Sequence, residues 1–448
     1  MKKLNSLFTI TILLFTATFF AGCEDETTTD NGMKRNTITD VASSNPNFSS
    51  LVEALKKTGL DDDLAKPNAN LTVFAPTNAA FTALLAELGV ASLNDIPNET
   101  LTQVLLYHVV EGKKTASQIS TGYFSSQAKG PEDGSKVSLY VDKSALKINA
   151  RAGITQTDIM ASNGVIHSID KVILPMTIAD HAVANQSFTS LVAALSKADL
   201  VSALDDETKT YTVFAPTNEA FTELLSALGV TLDDLSAEAL TPILLYHVVS
   251  GYVPASAVED GYVPTLSTAF EENVSLQIST SGGVKLNNSV NVIATDVVAT
   301  NGIIHVIDKV LLPPTVVEVA QQNEMFSTLV MAVIKADLAE TLSGEGPFTV
   351  FAPTNDAFEA LFSALNVSGI DALSKEALTP ILLSHVVSGN VQSGSLSSGT
   401  VATLNPAKSL DVLVSGSSVT IDGSVNVIKA DVQAKNGVVH VIDKVIVP

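Results

Sequence analysis

The chain has 448 residues, room for about three domains of ordinary size, and 46% of them are hydrophobic, enough for each domain to bury its own core. A net formal charge of −22 repels phosphate backbones and excludes nucleic acid as an expected partner, while it keeps the surface soluble and attractive to divalent cations or basic surfaces. With no Trp and seven Tyr there is no broad aromatic platform for sugars or bases, and a single Cys leaves no internal disulfide.

Lys2 and Lys3 precede an apolar run over residues 7–21, too short for a comfortable membrane span and suited to a signal peptide over 1–22. The run closes on Phe20-Ala21-Gly22-Cys23, which resembles a bacterial lipobox, although Phe20 stands where that pattern usually has Leu. The resemblance implies cleavage before Cys23 and its acylation, and two or three acyl chains make a firm membrane anchor. Glu24-Asp25-Glu26 resembles a surface-export signal of bacterial lipoproteins, which implies an outer-membrane lipoprotein facing the cell exterior. The polar residues 23–35 read as a flexible tether reaching on the order of 20 Å.

Beyond the tether the chain is one unit written three times. Residues 72–81 read TVFAPTNAAF, 212–221 TVFAPTNEAF and 349–358 TVFAPTNDAF, at offsets of 140 and 137 residues. LLYHVV at 105–110 recurs at 244–249 and, as LLSHVV, at 382–387; NGVIHSIDKVILP from Asn163 recurs from Asn301 and Asn436 with small changes. Such a period is too long for a solenoid unit and long enough for an independent domain, so the chain divides into 36–175, 176–313 and 314–448. The links are short, which predicts touching neighbours in a slightly bent rod.

Within the unit, Phe48, Leu51, Val52 and Leu55 carry helical spacing. Residues 71–75 predict a short buried strand ended by Pro76. Thr77 then caps a helix through Phe81, Leu84, Leu85 and Leu88 that Gly89 terminates. A second amphipathic helix is predicted over 99–110, with Pro242 and Pro380 in the first turn of its later copies. Alternating segments at 137–141 and 146–148 predict strands. The Asn163-Gly164, Asn301-Gly302 and Asn436-Gly437 pairs predict type I′ turns joining two antiparallel strands. Gly112 and Gly122, Gly251 and Gly261, and Gly389 and Gly399 recur ten apart, as turns needing glycine's backbone freedom do. The fold class is α+β, helices first and a mostly antiparallel sheet after.

The TVFAPTNxAF block, the Tyr-His pair and the NGxIHxIDxVLxP ending resemble the signature segments of fasciclin-like domains, in order and in every repeat; Ser384-His385 departs from the Tyr-His of the first two copies. The resemblance implies a β-wedge of mostly antiparallel strands flanked by helices. It further implies adhesion, matrix contact or surface interaction, and no enzymatic activity. In animal members an Asp-Ile pair near the last strands is linked to integrin contact; Asp158-Ile159 matches it, while Asp296-Val297 and Asp431-Val432 drift, which makes Asp158 and Ile159 a possible interaction site.

Six of seven histidines occupy two repeated positions: His108, His247 and His385, then His167, His305 and His440. No His-x-x-x-His or Cys pair exists, so only a His108–His167 pairing within a domain is open to a metal, and neutral core histidines with both nitrogens bonded are expected instead. His181 stands where Val41 and Val319 stand and has no repeated role. Asn78, Asn218 and Asn355 follow Thr77, Thr217 and Thr354 at a helix start and are read as caps. Asp170, Asp308 and Asp443 are expected as buried carboxylates bonded to backbone N–H groups. No Gly-x-Ser-x-Gly elbow appears, and Asp61-Asp62-Asp63 and Asp205-Asp206-Glu207 lack calcium-loop spacing, so no catalytic residue, metal or cofactor is expected. The expected function is surface adhesion through repeated modules on a lipid anchor, toward a surface protein or polysaccharide; the alternative is a periplasmic or surface binder of a small molecule or glycan.

Overall fold

The computed structural model describes residues 36–416 and 418–448, so the signal peptide, Cys23 and the tether lie outside the described residues. In the first domain Thr37 and Asp40 cap each other's backbone at the start of α1 (Ile38–Ser44). Next come α2 (Ser49–Thr58), which buries Leu51, Ala54 and Leu55, and α3 (Leu60–Ala65). The strand β1 (Leu71–Pro76) is a buried apolar run. Thr77 Oγ1 accepts the Ala80 N–H to open α4 (Asn78–Leu88), and Gly89 ends it in the left-handed region at φ 68°. After α5 (Asn98–Tyr107) come β2 (Val109–Glu111), β3 (Gly122–Lys129), β4 (Lys136–Asp142), β5 (Lys147–Ile148), β6 (Ala152–Ala161) and β7 (Gly164–Ile169).

These strands follow one another in sheet order, and β7 returns to pair in parallel with β1 over six residues, closing a barrel; the other pairs are antiparallel. The other two domains repeat the order as seven-stranded sheets. Two cores result in each domain. One lies between helices and the β1–β7 face, with Leu55, Phe81, Leu101 and Ile166; the other lies inside the barrel, with Phe74, Tyr107, Leu139 and Ile169. Phe81, Phe221 and Phe358 are at most 3% exposed, and truncating any of them to Ala costs about 3–5 kcal/mol.

Three local expectations are corrected. The helix predicted over 99–110 ends at Tyr107: His108 is its C-cap, and Val109 and Val110 pair with Val73 and Thr72 of β1 as a strand. β-Branched residues gain more on that sheet than in a last helical turn. Pro242 and Pro380 are the sixth residues of Ala237–Tyr246 and Lys375–Leu383, inside the helix, because Ser236 and Ser374 cap it so that it starts one residue before the expected position.

The Asn-Gly pairs are not type I′ turns. Ala161 pairs with Gly164, so the tight turn is Ser162-Asn163, and neither residue has positive φ. Glycine is needed for another reason. A Cβ on Gly164, Gly302 or Gly437 would lie far inside contact with the carbonyl oxygen of Leu71, Tyr211 or Phe348 in the parallel neighbour strand. The asparagine is a clamp: Asn163 Oδ1 accepts the Ile38 N–H at 2.8 Å, and its Nδ2 donates to Leu64 O (2.8 Å) and Lys66 O (2.9 Å). Asn301 and Asn436 repeat this on Ile178, Leu204 and Asp206, and on Val316, Leu342 and Gly344. The first and third helices of each domain are thereby fixed to the start of its last strand.

Neighbouring domains touch through one repeated joint. The β3–β4 end of a domain, its tail, meets the first helix and the outer edge of the β6 equivalent of the next domain, its head. Asn185 Nδ2 donates to Tyr123 Oη at 3.1 Å, and Asn323 Nδ2 to Tyr262 Oη at 3.0 Å. Val298 N–H donates to Ser138 Oγ, and Gln433 N–H to Ser275 Oγ, both at 3.0 Å and buried. Tyr140 packs with Met176 and Ala184 in the first joint.

Candidate interaction surface and the repeated polar sites

His108 caps α5. Its Nδ1 donates to Val104 O at 2.7 Å, and its Nε2 accepts the Ile173 N–H at 3.1 Å, so the ring bridges the helix end to the chain leaving β7. His247 and His385 make the same two bonds, to Ile243 and Leu311 and to Ile381 and Ile446. Burial pushes all three down to about 4, so they are neutral at ordinary pH.

The second set carries the opposite tautomer. His167 Nε2 donates to Lys114 O at 2.9 Å, and its Nδ1 accepts the Asp158 N–H at 3.3 Å, with the ring stacked on Phe74. His305 and His440 repeat this with Val253 and Asp296, and with Val391 and Asp431. Every ring nitrogen in these six positions faces a backbone group. Among the described residues no group of three or more His, Cys, Asp or Glu is placed to hold a metal.

Asp158 belongs to this second site. It sits in the left-handed region at φ 60°, at an irregularity in the β6–β7 register, and its Oδ1 accepts the Ala116 N–H at 2.8 Å. Asp296 and Asp431 do the same at φ 61° and 62°, taking the N–H of Ala255 and Ser393. Ile159 is half-buried against the helical core, as Val297 and Val432 are buried against theirs, so the drift from Ile to Val leaves the stitch intact. Of the residues singled out in the sequence, the structure brings Asp158 together with His167, and does not bring it to His108 or Asn78.

Asn78 does not cap its own helix. Thr77 does that, while Asn78 Oδ1 accepts the Ser50 N–H at 2.9 Å and its Nδ2 donates to Pro46 O at 2.8 Å, capping α2 from across space. Asn218 and Asn355 reach Ser190 and Gln186, and Thr328 and Glu324. Asp170, Asp308 and Asp443 accept the N–H of Gly153, Asn291 and Asn426 at 2.7–2.8 Å. They are exposed or half-buried rather than buried, because they sit at the strand's outer end.

The Ser384 departure is compensated locally. Tyr107 and Tyr246 donate through their phenols to Ser138 O and Ser275 O and receive the amides of Asn149 and Asn287. In the third domain Ser384 donates to Pro380 O, and Asn405, from the hairpin between strands Gly399–Ala402 and Ser409–Ser415, enters to donate to Ser384 Oγ and Pro380 O. His181, the unrepeated histidine, is fully buried in the first joint with its ring edge-on to Tyr123, and burial pushes it down to about 3.

Exposed features are what remain for contact. Leu88, Leu228 and Leu365, the last helical residues of three equivalent helices, are 50%, 54% and 47% exposed, an apolar point repeated along the array. A cleft of about 260 Å³ opens in the first domain beside Leu55, Leu64, Val73 and Leu105; its equivalents in the other two shrink to about 20–30 Å³. No helix among the described residues is long and apolar enough to cross a membrane.

The fold and its sites define a tandem array of three α+β modules whose repeated polar residues hold the framework. The chain belongs to the fasciclin domain family, matched over residues 46–175, 186–313 and 324–448. It is 31% identical over 418 residues to pig transforming growth factor-beta-induced protein ig-h3, covering 92% of this chain and 58% of that protein. It is 30% identical to human periostin over 422 residues, covering 89% and 45%. A 143-residue stretch is 52% identical to protein sll1483 of Synechocystis, covering 31% of this chain and 74% of that one. The chain thus spans about half the length of the two animal relatives. Among solved structures, a FAS1 domain pair from the insect cell adhesion molecule fasciclin I overlaps it at 21% identity and a TM-score of 0.37, covering 58% of this chain and 97% of that one.

Proposed function

We propose that this chain is a cell-surface lipoprotein, anchored through acyl chains on Cys23, whose three fasciclin modules bind a surface protein or polysaccharide. The observation that carries this reading is the repeated joint. Three like modules joined end to end by the same pair of bonds, one of them buried, present their equivalent faces in a set geometry. Weak contacts made together then gain effective concentration without any new contact. The repeated polar groups being engaged within the fold leaves the variable loops and points such as Leu88, Leu228 and Leu365 to make contact. Adhesion is also what the family resemblance implies.

Intact cells making the wild-type chain are expected to lose it to added protease and to attach to coated protein or polysaccharide surfaces. Cys23→Ala is expected to release the protein and abolish attachment. A knockout that attaches normally, with one soluble ligand bound tightly by each domain, overturns the reading. The open cleft of the first domain favours a second reading, binding of a small apolar molecule there; a ligand displaced by Val73→Phe would identify it.

A further inference from the structure

Each joint covers a head patch whose equivalent in the first domain is exposed among the described residues. In the recipient domains this patch centres on Val298 and Gln433, 7% and 2% exposed; the same position in the first domain is Met160, 53% exposed. Asn45 stands where Asn185 and Asn323 stand and keeps their geometry, its Oδ1 accepting the Asn47 N–H at 3.0 Å as theirs accept Ser187 and Met325. At the opposite end, the register of the third domain's outer strands places Ser409 where Ser138 and Ser275 stand, and there it is exposed.

The substitutions at the two ends match each other. In the first joint Tyr140 packs on Met176 and Ala184. The third domain has Asp411 in place of Tyr140, and the first has Asn36 and Ser44 in place of Met176 and Ala184, all three exposed. An apolar contact in one joint corresponds to a carboxylate on the tail of the third domain and an amide and a hydroxyl on the head of the first. One element is lost: Thr400 replaces Tyr123 and Tyr262, so the phenol that meets the head asparagine is absent.

We propose that the head of the first domain and the tail of the third are complementary halves of one more joint, and that a second copy of this chain docks there head to tail. Ser409 Oγ accepts the Met160 N–H, as Ser138 accepts Val298, and Asp411, which already takes the Thr400 hydroxyl, accepts from the Asn36 amide and from Ser44 once its hydroxyl turns from Asp40 O. The two faces differ, so the contact is heterologous: it adds chains in line rather than closing a two-fold dimer. The missing phenol and the shared negative charge make it weaker than the internal joints, and added salt strengthens it. It is independent of the adhesion reading.

The test is sedimentation of the full mature chain carrying Cys23→Ala, from micromolar to millimolar concentration, with small-angle scattering for shape. The expected result is concentration-dependent growth along the long axis, stronger in salt. Met160→Glu and Ser409→Glu, both at exposed positions, are each expected to abolish it without changing the melting temperature. Mixing those two variants pairs one intact head with one intact tail, so it is expected to give a two-chain complex and nothing longer. Thr400→Tyr returns the phenol to Asn45 and is expected to tighten association about five- to tenfold. A monomer at every concentration for both wild type and Thr400→Tyr overturns the proposal, as does association that survives the two glutamate variants.

Discussion

Replacing Asn301 by Ala removes the acceptor of the Ile178 N–H (2.9 Å) and the donor to Leu204 O (2.7 Å), with a longer bond to Asp206 O at 3.5 Å. Two buried backbone groups then lose their partners, at about 1–3 kcal/mol each, so about 4 kcal/mol is expected. For a domain of this size that lowers its melting temperature by about 15 °C. The loss belongs to the second domain, so calorimetry of the full chain should show one displaced transition. Hydrogen exchange should show lost protection in Ile178–Ala184 and Gly302–Ile307 and little change elsewhere. Asn301→Asp sharpens the test. It keeps the acceptor but turns a carboxylate oxygen on two carbonyls, so at pH 7 it should be at least as damaging. It should recover in acid, where a protonated carboxyl regains one donor. A shift under about 2 °C for Asn301→Ala, with Asn301→Asp no worse, would refute the clamp and leave the residue as a plain turn former.

Gly302→Ala is expected to cost about 3 kcal/mol or more, since its Cβ meets the Tyr211 carbonyl, whereas Gly229→Ala, at φ 67° in open space, should cost about 1 kcal/mol; urea midpoints compare the two. His108, His247 and His385 are held neutral by burial while unfolded imidazoles titrate near 6.5. Unfolding therefore takes up protons below that value: stability is full above pH 6.5, is lost as pH falls toward 4, and is lower by about 2 kcal/mol for each of these histidines at pH 5, with His181 adding a like loss in the second domain. His247→Gln should remove only part of that decline for the second domain in urea titrations, because buried His181 remains there. Neither zinc nor EDTA should move any transition, because the ring nitrogens of the six repeated histidines are bonded within the fold; a rise of several degrees with zinc would contradict those bonds.

The sequence was most legible where its signals are short-range. The helix from Thr77 to Gly89 was readable to the residue because cap, apolar spacing and terminating glycine all lie within thirteen positions. The three repeats, the strands expected at 71–75 and 137–141 and observed as Leu71–Pro76 and Lys136–Asp142, and the α+β class follow from the same kind of pattern. What failed was chemistry carried across distance. Asn163 looked like a turn residue because its partners, Ile38 and Leu64, lie 125 and 99 residues away. Asn78 looked like a cap of its own helix and serves another one 28 residues back. Periodicity says which face of an element is buried; it does not say which distant backbone group an amide will meet. The signal that could have found the clamp was the recurrence of Asn, rather than Gly alone, at all three strand starts.

The clamp has a mechanical consequence. The chain enters the second domain at Ile178, pinned to Asn301 at the start of its last strand, and leaves after that strand ends, where the Leu311 N–H is pinned to His247. Tension on the array therefore runs lengthwise along Gly302–Ile307. The Ile178–Asn301 bond bears that load in series with the strand, and only once it breaks are the six registered pairs with Tyr211–Pro216 loaded, then together and in shear. The same path repeats in each module, from α1 through Asn163 to Ile173 and from Val316 through Asn436 to Ile446. A pull between the two ends of a module is thus carried along one strand rather than across its sheet.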